Sequence, residues 1–154
     1  MTYAFGWPSH DPTADNNNVN PGDKCGSPCK NYCDCKTVVK AAITDTGDKI
    51  QDYDCDIACP TGTYKIALVV GPHNTPGKKP CDHHWYRQLP NGFWSHKRGN
   101  HGVHDPSVDA SGKPIRDPRL ADRDYSDDLG GTGPNYRDFC GCFCVPNKGI
   151  DIRK

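Results

Sequence analysis

The chain has 154 residues, a formal net charge of zero and an apolar content of only 34%. Glycine and proline together supply 30 residues (16 and 14), and glutamate is absent. Dispersed, balanced charge argues against a nucleic-acid or membrane-surface partner. No apolar run approaches the roughly 20 residues that span a bilayer. We therefore predict one domain over residues 1–154, in which long loops surround a small core.

The first third of the chain predicts an arm, a helix and a short strand. Residues 1–24 form an N-terminal arm that ends in turn-forming sequence. Asp34 is a helix cap, residues 35–44 carry apolar side chains at helical spacing, and Gly47 follows as a stop signal. Residues 49–54 predict a short strand.

Residues 63–70 show the clearest strand pattern, because β-branched and aromatic residues run between Gly62 and Gly71. The latter half is apolar without alternation. This predicts a central strand that is covered on both faces, with the helix on one of them.

The aromatic segment 81–98 predicts a β-hairpin at the centre of the fold, because Asn91-Gly92 lies between two aromatic runs. Alternation along the first arm divides its side chains between two faces. One face takes His84, Tyr86 and Gln88, and the other takes Trp85 and Arg87. The second arm, residues 93–97, would bring Ser95 or His96 beside the first arm.

The last third predicts little regular structure before a final strand. Residues 100–133 are irregular apart from one short extended piece at 113–116. Residues 136–146 predict a strand, followed by a polar tail at 147–154. Cysteines alternate along this strand, so all three would point to one face and bond partners in earlier loops. They are Cys140, Cys142 and Cys144.

The cysteine count predicts the compartment. Ten cysteines in a loop-rich chain with a thin core are typical of a disulfide framework in a secreted protein. Zinc is the alternative, since Cys25-x3-Cys29 has finger-like spacing, but Cys33-x-Cys35 is too close to supply a matching pair. We prefer disulfides and leave their connectivity open. The ten are Cys25, Cys29, Cys33, Cys35, Cys55, Cys59, Cys81, Cys140, Cys142 and Cys144. The expected fold class is α+β, with one main helix packed on a small antiparallel sheet, loop-rich and stapled by disulfides.

Three segments have distinctive sequences: Asp82–Gln88 (DHHWYRQ), Trp94–Gly99 (WSHKRG) and Phe139–Val145 (FCGCFCV). Together they resemble a little-characterised family of small, secreted, cysteine-containing proteins, over about residues 60–146. The family's N-terminal motif, a cysteine that opens a helix, is similar to papain-like or NlpC-like hydrolases. Thr2-Tyr3-Ala4 fits that motif, but Met1 stands where the cysteine belongs, so the nucleophile is missing or trimmed.

The resemblance implies one function, a cysteine-hydrolase relative that acts on peptide or amide bonds. A helix N-terminus and a nearby imidazole would lower the pKa of the thiol. His84 would be the base, and Ser95 or His96 would orient it.

The interpretation that we prefer is a secreted structural or interaction protein that forms an extracellular assembly. Heavy cross-linking, near-zero net charge and the incomplete catalytic set all favour it. The expected partners are further copies of the chain, in an oligomer or filament, or a carbohydrate or protein ligand. The ligand would bind aromatic rings, although packing in the core is the use that we prefer for them. These rings are Trp85, Tyr86, Phe93 and Trp94.

A histidine metal site is a third possibility, built from His83, His84, His96, His101 and His104. The spacing His101-x2-His104 is a weak signal, and no carboxylate completes a recognised pattern. The Asp-rich turns match no EF-hand loop. We therefore expect no metal and no cofactor.

Overall fold

The computed structural model describes Ala4, Gly77, Ile150 and residues 20–22, 32–73, 80–97 and 107–148. Its framework is a five-stranded antiparallel sheet in the order β1-β5-β2-β3-β4. The strands are β1 (Gln51–Tyr53), β2 (Thr63–Pro72), β3 (Cys81–Gln88), β4 (Trp94–Ser95) and β5 (Asp138–Pro146). The helices are α1 (Cys35–Asp45) and the single turn α2 (Asp128–Gly131). The α+β prediction is confirmed in outline, although strands predominate in the described residues.

Helix α1 begins and ends where the sequence signals predicted. The Asp34 side chain accepts a hydrogen bond from the Thr37 amide at 2.8 Å, which caps the first turn. Gly47, just beyond the helix, has φ +61°, a conformation that glycine adopts without steric cost. Val38 and Ala42 are fully buried one turn apart. The helix therefore presents one apolar stripe to the sheet.

Strand β2 is the centre of the sheet, as predicted, with β5 on one side and β3 on the other. Residues 65–70 are all buried. Alternate side chains enter two separate cores, because successive residues of a strand point to opposite faces.

The first core, here called the helix-side core, lies between the sheet and α1. Its sheet residues include Ile66, Leu68, Trp85 and Phe143. Ala4 also packs there, and so does Ile150 from the predicted polar tail. Residues 151–154 lie outside the described residues.

The second core, here called the loop-side core, is covered by residues 107–137, which we name the covering segment. Ile115, Tyr125 and Tyr136 of this segment pack against Ala67 and Val69 of β2. Its isolated bridges include one between Val108 and Pro114, within the region where an extended piece was predicted. The irregular stretch is therefore a layer of the fold, held by turns instead of regular strands.

The predicted hairpin is present, but its turn is not a two-residue Asn-Gly turn. The Leu89 amide donates to the Phe93 carbonyl at 2.7 Å, and the Gly92 amide donates to the Leu89 carbonyl at 2.9 Å. Pro90 and Asn91 are thus the central pair, and Gly92 follows with φ +83°. The two strands are thus joined through a β-turn that a left-handed glycine follows.

The prediction that the three cysteines of β5 share one face is wrong. The register between β2 and β5 shifts between Leu68 and Val69, so that Gly141 and Phe139 oppose successive residues and Cys140 is the extra residue of a β-bulge. Cys140 packs in the helix-side core, whereas Cys142 lies in the loop-side core. The extra residue therefore changes the face of the sheet to which the later side chains of β5 point.

Four disulfides join all eight cysteines that the structure describes. Three of them fasten β5 to earlier segments, as the sequence predicted. The pairs are Cys33–Cys81, Cys35–Cys140, Cys55–Cys142 and Cys59–Cys144. Cys25 and Cys29 lie outside the described residues.

Candidate functional site

The structure brings together two of the residues predicted from the hydrolase resemblance, His84 on β3 and His96 just after β4. His84 Nε2 lies 2.7 Å from His96 Nδ1, and the two side chains are 8% and 4% exposed. Tyr136 stacks on His84 and Tyr86 stacks on His96, each with ring centroids 5.1 Å apart. The pair therefore lies inside the loop-side core and not at an open surface.

The contact made by the second ring nitrogen of His96 indicates which nitrogen of each ring carries a hydrogen. His96 Nε2 lies 3.3 Å from the Val108 carbonyl oxygen, which can only accept a hydrogen bond. Nε2 of His96 therefore carries a hydrogen, and its Nδ1 accepts from His84 Nε2–H when the ring is neutral. This arrangement can hold and share protons.

Ser95 does not join this pair. It is fully buried and stands opposite Arg87 in the register of β3 and β4. Directly opposed residues of an antiparallel pair share a face, so Ser95 points with Trp85 toward the helix side of the sheet. Ser95 therefore does not reach His84, which packs on the loop side.

The described residues supply no thiol for the pair to activate. All eight described cysteines are in disulfides, and Cys35, at the start of α1, is bonded to Cys140 on the helix side. Met1, where the resemblance expects a nucleophile, lies outside the described residues. The hydrolase set thus remains without a nucleophile in the described part of the chain.

Three of the four aromatic residues predicted to bind a ligand are divided between the two cores. Trp85 is in the helix-side core, whereas Tyr86 and Trp94 are in the loop-side core, and each is less than 5% exposed. Phe93 is half-buried, and the Arg116 guanidinium lies 4.5 Å from its ring centroid. Packing of the core is thus the role that the structure shows for three of the rings.

The other predicted histidine ligands are not gathered around this pair in the described structure. His83 stacks on Tyr32 with ring centroids 5.0 Å apart, and it points to the other face from His84. His101 and His104 lie outside the described residues. Among the residues that are described, no group of three or more potential ligands could hold a metal ion.

The sequence analysis did not predict a buried lysine that lies next to two of the disulfides. Lys65, only 4% exposed on β2, extends its ammonium group to three backbone carbonyls. It donates to Asp54, Cys55 and Ile57 at 3.1, 2.6 and 2.5 Å. Burial lowers the pKa of Lys65, and the nearby carboxylates of Asp54 and Asp56 partly offset that effect. A lysine within an otherwise apolar strand was the available signal.

A surface ion-pair network joins the same loop to the covering segment. Arg119 donates to Asp56 at 2.6 Å and to Asp117 at 2.7 Å. These hydrogen bonds lower the pKa of both carboxyl groups and raise the pKa of the guanidinium. Each partner is at least a quarter exposed, so the network positions the two loops more than it stabilises the fold.

Asp109 organises the turns of the covering segment. Its Oδ1 accepts hydrogen bonds from the Ser111 amide and hydroxyl and from the Lys113 amide, and Oδ2 accepts from the Asp122 amide at 3.1 Å. Partial burial raises the pKa of Asp109, but the bonds from Lys113, Ser111 and Asp122 outweigh it and leave the pKa below its usual value. The Asp109 side chain thereby supplies hydrogen bonds of the kind that strand pairing supplies elsewhere in the fold.

Within the described residues, no helix is both long and apolar enough to span a membrane.

Comparison with known proteins gives one informative similarity. No family model and no solved structure matches the chain. Over 75 residues the chain is 48% identical to insoluble matrix shell protein 1 of Ruditapes philippinarum. The matched segment covers 47% of this chain and 45% of that relative, so the chain spans less than half of the relative's length.

The localisation follows from the disulfides together with this similarity. Four disulfides are typical of an oxidising compartment, and the similar protein is named as an insoluble matrix shell protein. Neither finding supports a papain-like scaffold. The chain is a secreted, disulfide-stabilised extracellular protein.

Proposed function

We propose that this chain is a structural subunit of an insoluble extracellular matrix and that it assembles with further copies of itself and with other matrix components. The observation that carries the proposal is the 48% identity with insoluble matrix shell protein 1. That identity covers 47% of the present chain, so it is more than a short shared motif.

The cross-linked framework supports a structural role. Three disulfides attach β5 to segments that lie 85 to 105 residues away in the chain. Bridges that close such long loops restrict the unfolded chain strongly. Such restriction favours a subunit that keeps its fold outside the cell.

Charge and exposed apolar groups support self-association. The net charge is zero, so copies do not repel one another strongly at neutral pH. Leu120 is 84% exposed and Ile57 is 54% exposed. They follow Arg119 and Asp56, which form an ion pair at 2.6 Å, and we name this region the Ile57–Leu120 surface. Two exposed apolar side chains beside a satisfied ion pair suit a contact between copies.

The test is sedimentation velocity of the oxidised full chain from micromolar to millimolar concentration, with negative-stain microscopy of the same samples. We expect larger species to accumulate as the concentration rises, because apolar contacts drive association by mass action. Leu120→Lys should reduce them, because it places a charge within the Ile57–Leu120 surface.

Thr61→Lys is the matched control, since it adds the same charge at an exposed loop position. It should assemble as the parent chain does. A parent chain that stays monomeric at all concentrations, alone and with solubilised shell matrix, would contradict the proposal. Equal loss of assembly in both variants would contradict the assigned surface.

A further inference from the structure

The tip of the hairpin between β3 and β4 carries the one Asn-Gly pair in the sequence, Asn91-Gly92. Both residues are exposed to solvent. Gly92 has φ +83°, and outside the adjacent residues no atom lies within 4 Å of the place where a Cβ would stand. The backbone nitrogen of Gly92 therefore has no side chain beside it and open space around it.

The side chain of Asn91 is held next to the backbone that follows it. The Phe93 amide donates a hydrogen bond to Asn91 Oδ1 at 3.1 Å. Because a backbone amide can only donate, this contact identifies the bonded atom of Asn91 as the oxygen. The same oxygen becomes negatively charged when a nucleophile adds to Cγ of Asn91. A donor at this distance from that oxygen is placed as in sites that stabilise an oxyanion.

We propose that Asn91 is a site of spontaneous modification, at which the folded chain loses the side-chain amide as ammonia and acquires aspartate or isoaspartate. The Gly92 nitrogen gives its proton to a base in the solvent and forms a bond to Asn91 Cγ, while an electron pair of the C=O bond moves to Oδ1. The C=O bond then re-forms, Nδ2 takes up a proton, and the bond between Cγ and Nδ2 breaks. The products are a five-membered cyclic imide and ammonia.

Water then opens the imide at one of its two carbonyl carbons. Opening of the bond between Cγ and the Gly92 nitrogen gives aspartate. Opening of the bond between the main-chain carbonyl carbon and that nitrogen gives isoaspartate, in which the main chain runs through Cγ. Either product adds a negative charge to a chain whose formal net charge is zero. The reaction consumes only water, so the modified form accumulates with the age of the molecule.

One hydrogen bond of the turn opposes the reaction. The Gly92 amide donates to the Leu89 carbonyl at 2.9 Å, and the nitrogen cannot react while its hydrogen is held there. A single hydrogen bond in an exposed turn has a modest net strength, and exposed turns open often by local fluctuation. This bond therefore slows the attack in proportion to the time for which it is closed, and it does not prevent the attack.

Asn147 is the reference within the same chain. It is exposed as Asn91 is, but the next residue is Lys148, whose side chain crowds the backbone nitrogen that would attack. Asn91 should therefore be modified several-fold faster than Asn147 in the folded protein.

The experiment is timed incubation of the oxidised full chain at neutral and mildly alkaline pH, followed by tryptic peptide mapping with mass spectrometry. Digestion at mildly acid pH limits further loss of ammonia, and near-UV circular dichroism before digestion checks that the chain is still folded. We expect the peptide 88–97 to acquire both aspartate and isoaspartate at position 91. The rate should rise with pH, because the nucleophilic nitrogen must lose a proton.

Gly92→Ala is the diagnostic variant, because it places a methyl group next to the nucleophilic nitrogen. Modification of Asn91 should fall several-fold, toward the rate at Asn147. Gly112→Ala is the matched control, since Gly112 is also exposed, has φ +80° and has no atom within 4 Å of its added Cβ. The two variants carry the same backbone strain, and the control should modify Asn91 as the parent chain does.

Isoaspartate in the parent chain gives a readout that does not depend on any variant folding, because direct attack of water on the side chain yields aspartate alone. The proposal is overturned if the folded parent chain modifies Asn91 no faster than Asn147, or if aspartate forms there without isoaspartate. It is also overturned if Gly92→Ala and Gly112→Ala modify Asn91 at the same rate.

Discussion

At the scale of single residues, Lys65 shows how a charged side chain can be accommodated in a buried position. Its ammonium has three hydrogens, and three backbone carbonyls of the loop 54–57 accept them. The loop therefore folds around a cation that the chain itself supplies. Without that cation, three carbonyls that converge on one point would repel and would need water.

Lys65→Met tests this role, because methionine keeps much of the length and removes every donor. We expect a loss of about 1.5–3 kcal/mol in the free energy of unfolding, the usual range for hydrogen bonds that involve a charged group. Urea unfolding of the oxidised protein measures it. Lys113→Met, at an exposed lysine, is the control and should change stability little. Equal losses in the two variants would show that the carbonyl contacts contribute nothing.

At the scale of elements, the covering segment meets the sheet most closely where Asn135 crosses the end of β2. The Asn135 amide donates to the Pro72 carbonyl at 2.9 Å. A Cβ at Gly71 would lie 1.7 Å from the Asn135 carbonyl oxygen. Glycine is therefore required there by backbone approach, although φ at that residue is not positive.

Gly71→Ala should break the contact between the covering segment and the end of β2, because neither backbone can move aside without breaking its hydrogen bonds. We expect a loss of about 3 kcal/mol or more, with near-UV circular dichroism showing altered packing of Tyr125 and Tyr136. Gly47→Ala is the control, since no atom lies within 4 Å of its added Cβ and φ is +61°. Its cost should be about 1–2 kcal/mol, from backbone conformation alone. A smaller loss at Gly71 than at Gly47 would refute the close approach.

At the scale of the whole molecule, disulfides compensate for a small apolar content. Each of the three bridges to β5 closes a loop of about 85–105 residues. Chain-entropy reasoning assigns such bridges about 4–5 kcal/mol each, which is comparable with the whole net stability of many domains.

Cys55→Ser with Cys142→Ser should therefore lower the free energy of unfolding by about 2–5 kcal/mol. Full reduction of the parent chain should unfold it at ambient temperature, as followed by far-UV circular dichroism. Alkylation without prior reduction is the control and should leave the spectrum unchanged. Persistence of the native spectrum after complete reduction would disprove the dependence on disulfides, and non-reducing peptide mapping checks the four pairs directly.

The sequence by itself determined the features that local chemistry controls. The Asp34 cap and the spacing of Val38 and Ala42 predicted α1, because helix signals act within one or two turns. The unbroken apolar run of residues 66–70 predicted the central strand, and Asn91-Gly92 between two aromatic runs predicted the hairpin, although not its turn. The cysteine count predicted the compartment, since that inference needs chemistry and no geometry.

Only the tertiary structure decided which distant groups meet. The bulge at Cys140 decided which face each cysteine joins, and strand alternation alone could not reveal it because one inserted residue reverses every later side chain. The layer formed by residues 107–137 has no periodic pattern, since side chains such as Asp109 hold its turns. The contact between His84 and His96 depends on how β3 and β4 pair and on what covers them. These outcomes depend on contacts between remote segments, whose free energies no local stretch of sequence contains.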